Sequence, residues 1–233
     1  MRALIGAAAL AAGAGIAAGE IYTDATGDLF DNSFAHIDIA SVEITNDADW
    51  LYITIQTAGD LDATPWGKYG VGINTGNGPS TPTNGWGRPI DWASQAITHW
   101  TATWADDGGS GFGGEVYSFD GNGWILDDAT YQAGSLIQGS DAMHGAGIQM
   151  WQISLDWLGV NVGDTITFDV MTSGGGGGDP GVDHLSVSDG NLATPGWSSA
   201  STAGAFLSYT IVPTPGAAAM LGLGGLVAAR RRR

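Results

Sequence analysis

The chain contains no cysteine. Disulfides, thiolate metal sites and cysteine nucleophiles are therefore excluded. Positive charge is nearly as scarce. Of seven Lys and Arg, five stand at the ends, Arg2 and Arg230 to Arg233, so the stretch 20–212 holds only Lys68 and Arg88. Against these two stand all 24 Asp and Glu, a net charge of −22 with histidine neutral. That excludes a nucleic-acid partner, because phosphate contacts need clustered Lys and Arg. Helical periodicity is missing as well: no run of ten or more residues in 20–212 repeats its apolar positions at helical spacing. Catalytic signatures are also absent. His36, His99, His144 and His184 are scattered, with no His-x-x-x-His or Glu-x-x-His pair and no Gly-x-Ser-x-Gly elbow. Nothing here marks an enzyme; a polysaccharide-acting hydrolase stays a distant alternative, since 24 acids could supply its carboxylate pair.

What is abundant is Asp, Gly and Trp. Of the 24 acids, 21 are Asp. Asp suits turns, where its short side chain accepts from nearby backbone N–H groups, and it suits calcium, which takes hard oxygen ligands. Period-two segments separated by turn residues run from Ile21 to Val212. "HIDIA" sets Ile37 and Ile39 on one face, and "SVEIT" sets Val42 and Ile44 one residue out of step, which predicts a bulge or bend. "WLYITIQT" then alternates Leu51, Ile53 and Ile55 against Tyr52, Thr54 and Gln56, so the two form a hairpin across "TNDADW". Further strands are expected in "KYGVGIN", "QAITHWTATW", "GEVYSFD", "GWILDD", "GIQMWQISL", "DTITFDVMT" and "FLSYTIV", with a tight turn at Asp120-Gly121-Asn122-Gly123 and one helical turn at "DWLGV". About nine strands in about 190 residues imply an all-β fold, an antiparallel β-sandwich of jelly-roll or immunoglobulin-like type. The glycine run 174–178 reads as a loop between two strands.

The two ends read as addresses. Residues 1–19 carry one Arg, an apolar run and the small residues Ala17, Ala18 and Gly19, the pattern of a helical signal peptide removed near Gly19 by signal peptidase. At the other end, Gly216 to Ala229 is apolar all round and is followed by four arginines. As a helix these fourteen residues span about 21 Å, short of a hydrocarbon core of about 30 Å. The arginines stay on the cytoplasmic side by the positive-inside tendency. Val212-Pro213-Thr214-Pro215-Gly216, the Gly/Ala/Leu segment and the Arg cluster together resemble a PEP-CTERM sorting signal over about the last 22 residues. Thr214 stands where the naming motif has Glu; variants beginning Val-Pro-x-Pro-Gly belong to the same group. The resemblance implies an exported protein, held transiently in the inner membrane by a short transmembrane helix. It also implies an exosortase-type membrane transpeptidase as processing partner. The destination is then the cell surface or the extracellular matrix.

The body carries a second likeness. "DATGDLFDNSFAHIDIASVEITNDADWLYITIQT" and "ISLDWLGVNVGDTITFDVMTSGGGGGDPGVDHLS" are similar to segments of exported sandwiches of the family 9 carbohydrate-binding module and DOMON-like type. The likeness implies the fold and transfers no binding site.

Two groups of residues are candidates for chemistry. Asp24, Asp28 and Asp31 crowd one loop, and Asp179 and Asp183 follow the glycine run. They read either as solvated turn acids or as calcium ligands, should the two stretches meet. Trp66, Trp86 and Trp92 share a loop-rich region with Arg88. They form either a platform for a ligand such as an extracellular polysaccharide or an aromatic cluster covered by cation–π contact.

Overall fold

A computed structural model describes residues 19–105 and 111–213. Of the expected signal peptide 1–19, residues 1–18 lie outside the described residues, as do those of the expected sorting signal from Thr214 onward, with Pro215, Gly216 and the Arg cluster. Among the described residues no helix is long and apolar enough to cross a membrane.

Fourteen strands run through the described residues. They are β1 (Glu20–Thr23), β2 (Ile39–Asn46), β3 (Trp50–Thr57), β4 (Lys68–Asn74), β5 (Ile90–Asp91), β6 (His99–Trp104) and β7 (Gly113–Phe119), then β8 (Trp124–Ala129), β9 (Ile137–Ser140), β10 (Ile148–Ser154), β11 (Thr165–Ser173), β12 (Gly181–His184), β13 (Ser201–Thr202) and β14 (Leu207–Thr210). A five-stranded antiparallel sheet has the order β1-β2-β3-β10-β9. A seven-stranded antiparallel sheet has the order β12-β11-β4-β6-β7-β8, with β14 also on β11. β5 and β13 pair in parallel as a two-residue ribbon.

Alternation fixes which face each strand buries. In β3, Leu51, Ile53 and Ile55 are buried, while Tyr52, Thr54 and Gln56 are half-buried. β2 pairs with it, and the register shifts between Ile39 and Ser41, where the apolar pattern falls out of step. Residues 35–37 form a 3-10 turn, so Ile37 precedes the strand that its alternation with Ile39 predicts. The β2–β3 turn is held by Asp47, whose Oδ1 accepts from Asp49 N and Trp50 N at 2.8 Å each. Asp120 does the same between β7 and β8, accepting from Asn122 N at 2.7 Å and Gly123 N at 2.8 Å. The one α-helical turn among the described residues, α1 (Leu155–Leu158), is capped by the Ser154 hydroxyl and stopped by Gly159 at φ 66°.

The main core draws on both sheets. Ile39, Val42, Ile53 and Ile55 of one pack in the same cluster as Val71, Val116, Phe168 and Val170 of the other. A second cluster of Ile90, Trp92, Ile97, Trp100, Ala102, Met171 and Ala203 buries residues of β4's neighbours β6 and β11 under the 75–98 and 200–206 segments. β11 is consequently buried along nearly its whole length, with the charged Asp169 at its centre enclosed among Phe168, Val170 and Met171. Of the tryptophans in strands, Trp100 and Trp151 are buried and Trp50, Trp104 and Trp124 half-buried.

Candidate functional site

Asp28 and Asp38 from the start of the body meet the distant Asp183 at the entrance to β2, with Asp24 beside them. Asp24 follows β1, Asp28 lies in the loop after it, Asp38 sits between the 3-10 turn and β2, and Asp183 belongs to β12. One carboxylate oxygen from each of Asp28, Asp38 and Asp183 lies within 4.8 Å of the others, and all three residues are buried. Backbone donors hold two of them in place. Asp183 Oδ2 accepts from Ile39 N at 2.6 Å and its Oδ1 from His184 N at 2.9 Å, while Asp38 Oδ2 accepts from Gly27 N at 2.9 Å. Asp24 Oδ1 accepts from Ala25 N at 2.8 Å, and the other oxygens are buried with no hydrogen-bond partner: both of Asp28, Oδ1 of Asp38 and Oδ2 of Asp24.

The electrostatics follow from this crowding. Burial pushes Asp24 up to about 7, and the charges of Asp28, Asp169 and Asp38 push the same way against the bond from Ala25 N. Burial also raises Asp183 well above the carboxylate range, with Asp24, Asp28 and Asp38 adding to it. Asp28 and Asp38 are raised too, by burial first. Buried carboxylates that repel one another and lack donors are stabilised either by protons or by a cation. The donor set is all hard oxygen, with no nitrogen or sulfur, which fits calcium and not zinc.

The structure thus brings together Asp24, Asp28 and Asp183 of the five acids singled out in the sequence. Asp31 and Asp179 are not with them. Asp31 is exposed and accepts from Ser33 N at 3.0 Å. Asp179 stabilises the glycine loop, accepting from Gly176 N at 2.8 Å. Asp38 takes the missing place. Its position in "HIDIA" reads as an outward strand residue, but the 3-10 turn before β2 leaves it 4% exposed.

The aromatic group divides in three. Trp92 is not at the surface: it is 1% exposed and packs at 6.3 Å from Trp100 and 5.6 Å from Phe206. Trp66 packs edge-on against His36 at 4.3 Å and Phe34 at 5.5 Å, beside Trp197 at 6.1 Å. Only Trp86 and Arg88 share an open groove of about 340 Å³, whose other walls are Lys68, Trp104, Glu115 and Gly177. Arg88 is a buried staple rather than a ligand-binding charge. Its guanidinium donates to Ser173 Oγ at 3.0 Å and to the carbonyls of Gly174, Gly176 and Asp179, and lies 5.5 Å from the Trp86 ring centre. The planar fork explains why Arg stands there: its two terminal nitrogens satisfy the carbonyls of a glycine loop that has no side chains of its own, while Nε is buried without a partner. Glu115 accepts from Trp86 Nε1 at 2.7 Å and Tyr117 Oη at 2.8 Å, which fixes the groove floor.

A third constellation escaped the sequence. His184 Nδ1 lies 2.6 Å from Asp169 Oδ2, and its Nε2 lies 2.9 Å from Ser201 Oγ. The order Ser-His-Asp is that of a nucleophilic triad. All three side chains are 0% exposed, and they bind β11, β12 and β13 together. A serine with no access to substrate does packing work, satisfying polar groups inside the core. The comparisons add no relative: the chain matches no protein-family model, no curated protein and no solved structure.

Proposed function

We propose that the chain is an exported, non-catalytic protein of the cell surface or extracellular matrix, with a β-sandwich body of jelly-roll or immunoglobulin-like type carried on a sorting tail. One observation supports this reading: the described body is anchored as far as the first residue of the motif. Ile211 is buried, and Val212 is pinned from both sides by Asn46, whose Oδ1 accepts from Val212 N at 3.1 Å and whose Nδ2 donates to Val212 O at 2.9 Å. Pro213-Thr214-Pro215 begins directly after this last anchor. Pro213 has no N–H to donate and so cannot continue the ladder of β14. The partners implied are signal peptidase at the N-terminal segment and an exosortase-type transpeptidase at the tail. The expected outcome is cleavage or exchange of the tail after export. Intact mass spectrometry of the surface protein checks it; recovery of Arg233 in most molecules rejects the sorting role.

A second reading, carbohydrate binding at the surface, rests on the groove. Trp86 and Trp104 stand 6.0 Å apart at 43° beside Lys68 and Glu115. Aromatic faces with adjacent polar groups suit sugar rings, which have apolar faces and hydroxyl rims. A glycan array separates the readings: binding that Trp104→Ala removes favours the lectin role, and a blank array with a processed tail leaves the structural one.

A further inference from the structure

We propose that Asp28, Asp38 and Asp183, with Asp24 beside them, form a binding site for one divalent cation of the calcium type, which clamps the two sheets together at the start of β2. The acid cluster alone would not carry this. The second observation is Asp28: it is 7% exposed, and both of its carboxylate oxygens are buried without any hydrogen-bond partner. A carboxylate buried in that state is costly unless an opposite charge stands against it. The positively charged side chains of the body do not supply one. Arg88 is committed to the glycine loop, and Lys68 lines the groove beside Trp86.

The geometry suits an ion. Calcium holds its oxygens at about 2.3–2.6 Å, so two ligands on opposite sides of one ion stand up to about 5 Å apart. The three oxygens lie within 4.8 Å of one another. Magnesium demands a tighter octahedron near 2.1 Å and keeps its waters, which an enclosed carboxylate set serves poorly. The backbone already orients the ligands. Gly27 N fixes Asp38 by one oxygen and leaves the other without a donor. Ile39 N bonds Asp183 across 144 residues of sequence, joining β2 of one sheet to β12 of the other. An ion here adds the 24–28 loop to that junction.

The site is testable on the purified full chain, stripped with a chelator and titrated with calcium chloride against sodium chloride at equal ionic strength. The expected result is one calcium per chain by isothermal titration and elemental analysis, with a saturable rise in melting temperature that sodium does not reproduce. Asp28→Asn removes one charge and breaks no hydrogen bond, so it should fold and bind calcium at least tenfold more weakly. Asp38→Asn should do the same, and Asp31→Asn should bind as the parent does. Without calcium, Asp28→Asn should melt above the stripped parent, because it relieves repulsion. Superimposable calcium and sodium melts, or undiminished calcium binding by Asp28→Asn, would overturn the site.

Discussion

At the level of single residues, burial rather than residue type decides what each side chain does. His99 lies at the edge of β6 with its ring 4.7 Å from Trp157 and its Nδ1 2.8 Å from Thr98 Oγ1. Burial lowers its pKa to about 4, against the opposing pull of Asp127 and a backbone bond involving Trp157. The folded chain therefore keeps this imidazole neutral, while the unfolded chain takes up a proton near pH 6.5. Stability is complete above that pH and is lost as pH falls from about 6.5 to 4, by roughly 2–3 kcal/mol from this group. His99→Gln should flatten that part of the curve, measured by urea denaturation between pH 7 and 4; an unchanged slope would place the loss elsewhere. The same rule explains what was legible in the acids. Asp28 stands in an Asp-rich loop and Asp183 just beyond the glycine run, so both could be singled out as ligands, but nothing local separates Asp31, which caps a turn in solvent, from Asp28 three residues earlier. Asp38 was hidden because its neighbours alternate as a strand, and only the 3-10 turn before it sends it inward.

For the secondary-structure elements, long alternating strands were readable and most of the shortest strands were not. β3, β10 and β11 follow their apolar pattern over seven to nine residues. β5, β12 and β13 have two to four residues each, too few for a period, and exist because partners across the chain offer free edges. The double burial of the larger sheet was also illegible, since it depends on the 75–98 segment folding back over β4. Gly70 and Gly72 make that possible. A Cβ on Gly70 would lie 2.6 Å from the Trp100 ring and 2.9 Å from the end of Met171. The indole is locked between Trp86 and Trp92, at 6.1 and 6.3 Å, and has little room to yield. Gly70→Ala is thus expected to cost about 1–3 kcal/mol through overpacking, despite the better strand propensity of Ala. Equilibrium denaturation followed by tryptophan fluorescence checks this; a midpoint at or above the parent's would show that the indole moves aside without penalty.

Across the whole molecule, charge sets the conditions under which the fold persists. The body carries −22 with two cationic side chains, and one of these, Arg88, is spent on backbone carbonyls. A domain of about 190 residues has a radius of gyration of about 16 Å. At 0.01 M salt the screening length is about 30 Å, so nearly every acid repels every other; at 0.15 M it is about 8 Å, and only neighbours interact. Unfolding spreads the charges apart, so low salt favours the unfolded chain. Sodium chloride raised from 0.01 to 0.15 M should then stabilise the body by roughly 1–2 kcal/mol, or about 3–6 °C in melting temperature for a domain of this size. This gain is diffuse: it tracks ionic strength, any monovalent salt produces it, and Asp31→Asn or Asp60→Asn captures only a small share. Cation binding at Asp28 behaves differently, because it saturates and disappears on one substitution. A thermal melt in sodium chloride, with chelator present throughout, isolates the diffuse part. A melting temperature that stays level across that range would mean that the acids are already compensated in the folded state, and self-repulsion would cease to explain any salt response of the chain.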